Sequence, residues 1–377
     1  MSKRKYLAMG PLPPPIGGDT VLFSRLLRSR LLQEAGIELE VIDTSRKEKE
    51  SRLVRRLDVR DAQNAVRFLW RAIRLRPEVD GLLLWANNRF AYTLGLLLIL
   101  LFSMRRKRVI IKLFGGDFAE EVARLPRWMQ KLVKSLFSRV DYLLPETRGL
   151  CDFFRQRMGM AAEKVVHLPN FLPYQPPISV HRLPVAGLRT VFIGQIRTEK
   201  GVFDILEAVK RVPAMTCTFY GPIFAREQAR FQQLLAEIPR AAYGGVLSPG
   251  EVVDKIAEYD LLLLPSYHPG EGYPAAILEA FFAGVPVIAT AWRMIPELVQ
   301  HEVNGFLVKP NCPAEIAACV EKILSEPQRY ELLSDNARAA AEQYTEQAVI
   351  GDILLPLLDS GRAETLLYRV QPGEGGG

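Results

Sequence analysis

Short apolar runs alternate with helical patterns along most of the chain, and this alternation restricts the fold more than any other feature of the sequence. The apolar run at residues 5–9 is followed by the glycine- and proline-rich loop of residues 10–18 and then by residues 20–33, whose apolar positions have helical spacing. The same succession recurs further along the chain. Strands that are buried on both faces give such continuous apolar runs, so the sequence predicts parallel sheets covered by helices on both sides.

The predicted elements extend over both halves of the chain without an internal repeat. Their order, in which a strand is followed by a helix and then by the next strand, is typical of doubly wound sheets. Strands are predicted at residues 5–9, 37–42, 81–85, 109–113, 142–145, 165–168, 190–193, 216–220, 245–247, 261–265 and 285–289, and helices at residues 20–33, 59–75, 91–102, 126–138 and 201–209, with a further helix ending at Phe282.

A proline-rich stretch at residues 172–183 predicts a linker between two domains, which also suits a length of 377 residues. We predict an α/β fold of two Rossmann-like domains with doubly wound parallel sheets that face each other across a cleft. The predicted boundaries are 1–175 for the first domain and 184–350 for the second, with a C-terminal segment, 351–377, that packs back on the first domain. Ligands of such sheets bind beyond the carboxyl ends of the strands.

The positive charge of the chain is concentrated in its first half. Residues 1–183 contain 33 Lys and Arg against 18 Asp and Glu, whereas the net charge of the whole chain is +7. This excess predicts an anionic partner, either a phosphorylated substrate or the negatively charged cytoplasmic leaflet of a membrane. The alternative is a surface whose charge only keeps the protein in solution. Nucleic acid is not expected as a partner, because no aromatic RNA-binding motif accompanies the basic residues.

The sequence predicts a cytoplasmic protein that contacts membranes only at their surface. Its four cysteines form no C-x-x-C pair, and no apolar signal-peptide core follows the basic N-terminus. The apolar run that ends at residue 102 has roughly 13 residues, too few to cross a bilayer. Residues 124–139 have a basic amphipathic pattern, which predicts peripheral contact with an anionic membrane at the inner face. The alternative is a helix that packs on the sheet and leaves its lysines in water.

The segment 261–290 is the most informative for chemistry. A strand ends in a loop that contains Glu271, and a helix follows with Glu279 near its middle. The free amides of Tyr273, Ala275 and Ala276 at the start of this helix attract anions such as a diphosphate. Glu279 lies in an almost wholly apolar helix, where a carboxylate needs a partner. Each glutamate also has a structural alternative. Glu279 could be a solvent-exposed residue of the helix surface, and Glu271 could be an acidic residue placed near the helix N-terminus only because the helix dipole favours negative charge there.

Residues 271–289 resemble the E-x7-E segment of glycosyltransferase family 4, the retaining enzymes of the GT-B fold. The resemblance implies that Glu271 contacts the hydroxyls of the donor sugar and takes part in catalysis, and that Glu279 binds the nucleotide ribose. It also implies that the donor sugar and its phosphates lie beside the start of the helix. The residues implied there are Gly272, Tyr273, Pro274 and Ala275.

A second resemblance lies in residues 194–201, which are similar to the family pattern G-R-L-x-x-E-K-G. It implies that Gly194 lines the donor site and that Lys200 neutralises the leaving diphosphate. The usual arginine of the pattern is Gln195 here, and Arg197 replaces it only if the turn directs it to the site. The alternative for Lys200 is a solvated loop lysine.

Two loops of the first half also resemble the family. Gly17 and Gly18 match its N-terminal glycine loop, where the backbone approaches the donor diphosphate, although glycines also suit any tight turn. Asp117 is predicted either to bind hydroxyls of the acceptor or the donor, or to cap the helix that begins near Phe118. Many relatives have a histidine where this chain has Phe114, which cannot form a hydrogen bond through its side chain.

The resemblance therefore implies a retaining, metal-independent glycosyltransferase with no cofactor and no metal site, which transfers a hexose from a nucleotide-diphosphate sugar. The predicted acceptor is a saccharide or a lipid-linked saccharide of polysaccharide, lipopolysaccharide or glycolipid synthesis. Two alternatives remain. One is a nucleotide-sugar 2-epimerase with the same fold, and the other is a non-catalytic relative, which the departures at Gln195 and Phe114 favour.

Overall fold

The computed structural model describes residues 3–14, 16–45, 59–173 and 187–359. The chain forms two units. The first contains residues 1–171 together with the C-terminal residues from 346 onward, and the second contains residues 172–345. The predicted linker lies mostly outside the described residues. The division between the units falls between Phe171 and Leu172, four residues before the predicted end of the first domain at 175.

The first unit is built on a five-stranded parallel sheet with the strand order β2-β1-β3-β4-β5. Consecutive residues of its central strand alternate between two cores. Leu82 and Leu84 contact one core, whereas Leu83 and Trp85 contact the other. Both faces of the sheet are therefore covered, as the continuous apolar runs predict. The strands are β1 (Arg4–Gly10), β2 (Ile37–Asp43), β3 (Gly81–Asn87), β4 (Arg108–Phe114) and β5 (Tyr142–Pro145).

The helices of the first unit form one layer on each face of this sheet. Phe23 and Leu32 lie in one core, and Phe68, Leu98 and Val133 lie in the other. The helices are α1 (Gly18–Leu27), α2 (Arg30–Glu34), α3 (Val59–Leu75), α4 (Asn88–Ala91), α5 (Leu94–Ser103), α6 (Phe118–Ala123), α7 (Arg127–Phe137) and α8 (Arg148–Asp152), and a π-helical segment (Phe153–Arg157) follows α8.

The second unit has a six-stranded parallel sheet with the order β11-β10-β9-β6-β7-β8. Counted along this unit, that order is 6-5-4-1-2-3, the arrangement of dinucleotide-binding Rossmann folds. The strands are β6 (Leu188–Ile193), β7 (Met215–Tyr220), β8 (Ala241–Gly245), β9 (Leu261–Leu264), β10 (Val287–Thr290) and β11 (Gly305–Val308), and the helices are α9 (Val202–Arg211), α10 (Gln228–Glu237), α11 (Val252–Ile256), α12 (Ala275–Phe282), α13 (Pro313–Ser325) and α14 (Pro327–Ala341).

The C-terminal helical segment belongs to the first unit. It consists of a π-helical part (Gln347–Leu354) and α15 (Leu355–Leu358), and its apolar residues lie in the same core as those of α1. The hydroxyl of Tyr6 donates to the carbonyl oxygen of Leu358 at 2.7 Å, and Arg108 donates to that of Leu357 at 2.9 Å. These contacts join the segment to β1 and β4. Residues 360–377 of the predicted C-terminal segment lie outside the described residues.

Several predicted elements differ from the structure for local reasons. The helix predicted at 20–33 is divided at Ser29, and the one predicted at 91–102 is preceded by α4, which Asn87 caps by accepting from the amide of Phe90. The strand predicted at 165–168 is reduced to a bridge between Val165 and Leu143, and the amides of Val166 and Leu168 donate to the carbonyl oxygens of Leu143 and Pro145 in β5 at 2.9 and 3.0 Å. The carbonyl oxygens of Val165 and Leu168 accept from the side chains of Arg155 and Lys112. The strand predicted at 245–247 lies earlier, at Ala241–Gly245, and β11 was not predicted.

The helix α5 has ten residues and packs with one side in the core of the first unit. Among the described residues, no helix combines the length and the apolar character that crossing a membrane requires.

Candidate functional site

The second unit brings two predicted loops together where the carboxyl ends of two neighbouring strands meet. The loop after β6 begins at Gly194, and the loop after β9 begins at Pro265. These strands are neighbours at the centre of the sheet, where the chain changes the direction in which it adds strands. Ligands of doubly wound folds bind at this topological switch point. The position follows from the strand order alone.

A close contact between these loops requires glycine at position 201. Gly201 has φ = +75°, a left-handed conformation, and a Cβ at this position would collide with the carbonyl oxygen of Pro265. Two residues before it, the carbonyl oxygen of Glu199 accepts from the amide of Tyr267 at 2.9 Å and from the hydroxyl of Ser266 at 3.3 Å. The backbone thereby holds Lys200 opposite the loop that contains Glu271.

Lys200 and Glu271 form a largely buried ion pair. The Nζ atom of Lys200 lies 2.8 Å from Oε1 and 2.6 Å from Oε2 of Glu271, and the side chains are 19% and 7% exposed. Burial by itself raises the pKa of Glu271, but the charge of Lys200 and the hydrogen bonds from Lys200 and Ser266 outweigh it and hold the pKa below its usual value. The site therefore contains a fixed carboxylate and a fixed ammonium in direct contact.

The loop before α12 is held by hydrogen bonds to buried groups. Ser266 is fully buried and donates to Glu271, while the hydroxyl of Thr290, at the end of β10, donates to the carbonyl oxygen of Ser266. The indole of Trp292 donates to the carbonyl oxygen of His268 at 2.9 Å. Burial, and after it the charge of Lys200, lower the pKa of His268. Three hydrogen bonds thus fix the loop around the ion pair.

The helix α12 follows directly and places Glu279 in its second turn. Pro274 stands at the N-cap, so the amides of Ala275 and Ala276 lie in the first turn, where a helix offers no carbonyl partners of its own. Glu279 is 7% exposed in a helix whose other residues after Ala275 are also buried. The hydroxyl of Tyr273 donates to Glu297 at 2.6 Å, so this side chain braces the loop. The prediction that Gly272–Ala275 line the donor site stays a prediction.

Arg197 is part of a second ionic cluster in the loop after β6. Its guanidinium lies 3.0 Å from Glu199 and 5.2 Å from the ring centroid of Phe224, and Arg226 contacts the same two residues at 2.6 and 5.1 Å. Its hydrogen bond to Glu199 is the main reason that the pKa of that carboxyl is lowered to about 2. Arg197 also contributes to the lowered pKa of His268. Its charge is therefore felt at the site, although its partners are Glu199 and Phe224.

In the first unit, Gly17 and Gly18 stand at the start of α1. Gly17 is the N-cap, and its amide donates to the hydroxyl of Thr20 at 2.9 Å. A Cβ at Gly18 would meet no atom within 4 Å, and its backbone is not left-handed. The fold does not require glycine at position 18. Gly10 differs, because a Cβ there would lie 2.8 Å from the ring of Phe23.

Asp117 lies in a glycine turn after β4 and contacts the first residue of α4. Its Oδ1 accepts from Asn88 at 2.8 Å, and no cap hydrogen bond from its side chain to α6 is found. Asp117 therefore occupies the predicted N-cap position of α6, but its side chain does not bond the helix amides. Gly115 adopts φ = +98° just before it. The structure places Asp117 beside buried Asn88, and the predicted acceptor role stays a prediction.

Beneath this turn lies a buried charged cluster that the sequence analysis missed. Lys112 is fully buried and donates to the carbonyl oxygen of Leu168, and burial lowers its pKa to about 8 against the opposing charge of Glu146. Glu146 accepts from the amide of Gly115 at 3.0 Å, and His167 contacts the carbonyl oxygen of Glu146 at 3.0 Å. A lysine within an apolar strand was the available signal. The side chain of Phe114 packs in the core against Trp85, with ring centroids 5.6 Å apart.

Within the described ranges, no three His, Cys, Asp or Glu side chains converge in a way that would hold a metal ion. The four cysteines are free. The prediction of metal-independent chemistry stays a prediction.

A comparison with models of protein families finds a match within the second unit. Residues 180–340 match the model of the family described as glycosyl transferases group 1. The match covers less than half of the chain, and it supports this family for the region that contains Gly194, Lys200, Glu271 and Glu279. The narrower assignment to family 4 stays a prediction.

Curated relatives match over part of their length. The putative colanic acid biosynthesis glycosyltransferase WcaL of Escherichia coli is 28% identical over 201 residues, which is 47% of this chain and 46% of that protein. An exopolysaccharide phosphotransferase of Streptomyces coelicolor is 22% identical over 219 residues, which is 56% of this chain and 22% of that protein. The matched stretch spans less than half of each of these two relatives.

A solved structure extends the likeness of fold to almost the whole chain. The crystal structure of HepE from Anabaena in complex with UDP has a TM-score of 0.67 at 17% identity and covers 97% of this chain and 100% of that one. At this identity the likeness concerns the fold alone. Together with the strand orders, it confirms the predicted α/β class of two Rossmann-like parallel-sheet units.

Proposed function

We propose that the protein is a retaining, metal-independent glycosyltransferase that moves a hexose from a nucleoside diphosphate sugar to a saccharide or lipid-linked saccharide. Its products would belong to cell-surface polysaccharide, lipopolysaccharide or glycolipid. The observation that carries the proposal is the Lys200–Glu271 pair at the switch point of the second sheet, directly before the N-terminus of α12. The free cysteines suit a reducing compartment, and we place the protein in the cytoplasm.

Lys200 is the group that we assign to the leaving diphosphate. Negative charge grows on the phosphates as the bond to the sugar breaks, and a fixed ammonium stabilises that charge more in the transition state than in the bound donor. In the absence of ligand, the carboxylate of Glu271 holds the ammonium in place at 2.6 Å. The amides of Ala275 and Ala276 would add hydrogen bonds to the phosphates. Arg197 would contribute through its charge.

The two glutamates are assigned to opposite ends of the donor. Glu271 stays ionised because its pKa is lowered, so it accepts hydrogen bonds from the sugar hydroxyls on the same side as Lys200. Glu279 lies four residues into α12, about 6 Å further along the helix axis than its first residue, and it would accept from the ribose hydroxyls. Gly17, Gly18 and Gly194 are assigned to close approach of the backbone to the donor, and Asp117 to the acceptor.

The comparisons support the class of donor and the kind of pathway. HepE, which shares the fold, binds UDP, and its crystal structure has also been solved with UDP-glucose. The relative WcaL is named for colanic acid biosynthesis. We therefore propose a nucleoside diphosphate sugar as the donor and an acceptor in the synthesis of surface polysaccharide.

The test is an assay of the purified chain with a panel of nucleoside diphosphate sugars, with and without lipid and polysaccharide extracts. We expect release of nucleoside diphosphate only when an acceptor is present, unchanged by EDTA, and NMR should find the anomeric configuration of the donor in the product. Lys210→Ala provides a matched control for Lys200→Ala, because Lys210 is an exposed lysine of the same unit, paired at 3.9 Å with Glu207.

The same assay separates the alternatives. Turnover of donor to an epimer without acceptor would identify a 2-epimerase. Binding of donor with no turnover under any condition would identify a non-catalytic relative, which the departure at Gln195 favours. Absence of both binding and turnover across the panel would contradict the proposal.

A further inference from the structure

Three helices of the first unit form one continuous outer surface, which we call the three-helix surface. α3, α5 and α7 cover the same face of the sheet, since Phe68, Leu98 and Val133 lie in one core. α5 packs against both α3 and α7. The sides of these helices that point away from the core are therefore neighbours on the outside of the unit.

The three-helix surface exposes large apolar side chains in stripes. On α3, Val66, Trp70 and Ile73 are separated by four and three residues, so they lie on one side of the helix. Trp70 is 58% exposed and Trp128, on α7, is 68% exposed. Seven of the twelve large hydrophobic residues that are exposed in the described chain belong to this surface, which makes it a patch and not a scatter of single residues. They are Val66, Trp70, Ile73, Leu97, Met104, Trp128 and Leu132.

Apart from Asp61 in the first turn of α3, the charged residues of these helices have one sign. Residues 62–75, 94–106 and 124–139 contain ten Lys or Arg and no Asp or Glu. The guanidinium of Arg74 lies 5.7 Å from the ring centroid of Trp70, one turn earlier on α3. Long basic side chains can lie along an apolar surface while their charges reach toward an anionic layer.

A basic groove borders the three-helix surface along α7. It has a volume of about 420 Å³, and its walls include Arg127, Lys131, Lys134 and Arg157, with Val122 and Met158 among the apolar residues. Four cations around an apolar floor suit a group that carries a phosphate on a hydrocarbon chain. This is the chemistry of a phospholipid headgroup and the first part of its acyl chains.

We infer that the three-helix surface docks on a bilayer of anionic phospholipid, with a lipid headgroup in the groove beside α7. Tryptophan is enriched at the level of lipid headgroups, and helices that lie in this layer combine an apolar side with Lys and Arg. A protein partner would have to supply acidic groups opposite ten basic residues, whereas an anionic leaflet supplies negative charge over the whole surface. The sequence suggested a membrane through the basic first half and the amphipathic segment 124–139, and the structure adds α3, α5 and the groove.

The test measures binding of the full chain to sedimented vesicles, without nucleotide or acceptor. One set of vesicles contains equal parts of phosphatidylglycerol and phosphatidylcholine, and the other contains phosphatidylcholine alone. We expect strong binding to the anionic set that weakens at high salt. Trp70→Ser with Trp128→Ser should weaken that binding on the order of a hundredfold. Lys131→Gln with Lys134→Gln should reduce it by about tenfold or more on anionic vesicles.

Matched controls lie on the second unit. Leu332→Ser removes an exposed apolar residue of α14, and Lys210→Gln with Arg211→Gln removes two exposed charges of α9; both should bind vesicles as the parent does. Equal binding to both vesicle sets, or parent-like binding by the tryptophan variant, would overturn the inference. So would a parent dimer that the tryptophan variant converts to a monomer while vesicle binding persists. Because the assay contains no donor, its failure leaves the proposed transfer reaction untouched.

Discussion

The two units have the same kind of sheet but hold their charged groups in different ways. At the carboxyl edge of the second sheet, Lys200 and Glu271 neutralise each other beside the helix α12. At the carboxyl edge of the first sheet, Lys112 is fully buried and loses part of its basicity, and the exposed cations lie on the outer helices instead. The strand order thus decides where a site lies in each unit, and the side chains decide what that site can bind.

The largest effect is predicted for a substitution that breaks the ion pair of the second unit. Lys200→Met should lower transfer by about a thousandfold, because the leaving diphosphate loses its countercharge. It should also lower the free energy of unfolding by about 2 kcal/mol, since Glu271 is left buried without its main partner. The double variant Lys200→Met with Glu271→Gln should recover most of that stability and none of the transfer. Steady-state kinetics and denaturant unfolding of the two single variants and the double variant check this.

Recovery of transfer in the double variant would contradict the catalytic assignment, because the pair would then act only on stability. Lys210→Met serves as the control and should change neither quantity.

The next effect compares glycines at two helix starts. Gly201→Ala should cost about 3 kcal/mol of unfolding free energy, because alanine is strained at φ = +75° and its Cβ collides with the backbone of Pro265. Gly18→Ala in the first unit should change stability by less than about 0.5 kcal/mol, because nothing lies within 4 Å of its Cβ. If the backbone at Gly18 approaches the diphosphate, this variant should still raise the donor KM about tenfold. An unchanged KM would remove Gly18 from the donor site.

A third effect distinguishes the units by pH. Burial, and next the charge of Lys112, lower the pKa of His167 from 6.5 to about 4, with Arg148 and Arg155 acting in the same direction. The unfolded chain then binds more protons below pH 6.5, so the free energy of unfolding should fall by about 2 kcal/mol as the pH drops from about 6.5 to 4. His167→Gln should flatten this dependence. In the second unit, the pKa of Glu199 is lowered from 4.5 to about 2, so its contribution is lost only as the pH falls from about 4.5 to 2.

Unfolding curves of the parent and of His167→Gln, measured at several pH values, provide the check. A decline of equal steepness in both proteins would show that other groups cause it.

The smallest of these effects separates the two glutamates of the second unit. Glu279→Gln should weaken binding of the nucleoside diphosphate itself by about tenfold, since the ribose loses a charged acceptor. Glu271→Gln should instead weaken binding of the nucleotide sugar relative to the nucleoside diphosphate. Titration calorimetry with both ligands distinguishes the assignments. Glu237→Gln, on α10, is the control.

The sequence was sufficient to predict the parallel sheets and the segment that carries the candidate site of the second unit. Buried strands such as β9 are continuous apolar runs, and the spacing of Glu271 and Glu279 is fixed by a single loop and helix. The contact of Lys200 with Glu271 was not predicted, because these residues are 71 positions apart and meet only through the strand order. The burial of Lys112 and its contacts were missed for the same reason, since its partners come from the ends of other elements.

Predicted strand boundaries were wrong where the apolar pattern was weak, or where side chains bonded backbone carbonyl oxygens of the predicted strand. β8 contains Ala, Tyr and Gly with several exposed positions, so no apolar run marks it. Residues 165–168 form only a bridge to β5, and the carbonyl oxygens of Val165 and Leu168 accept from the side chains of Arg155 and Lys112. Such local exchanges depend on residues that are remote in the sequence.

Hydrogen–deuterium exchange with and without a panel of nucleoside diphosphate sugars tests the central claim most directly, because it reports where the donor binds without any substitution. We predict slower exchange in residues 194–201 and 266–279 with a sugar nucleotide that supports turnover. Unchanged exchange in both segments, with protection confined to other parts of the chain, would contradict the account.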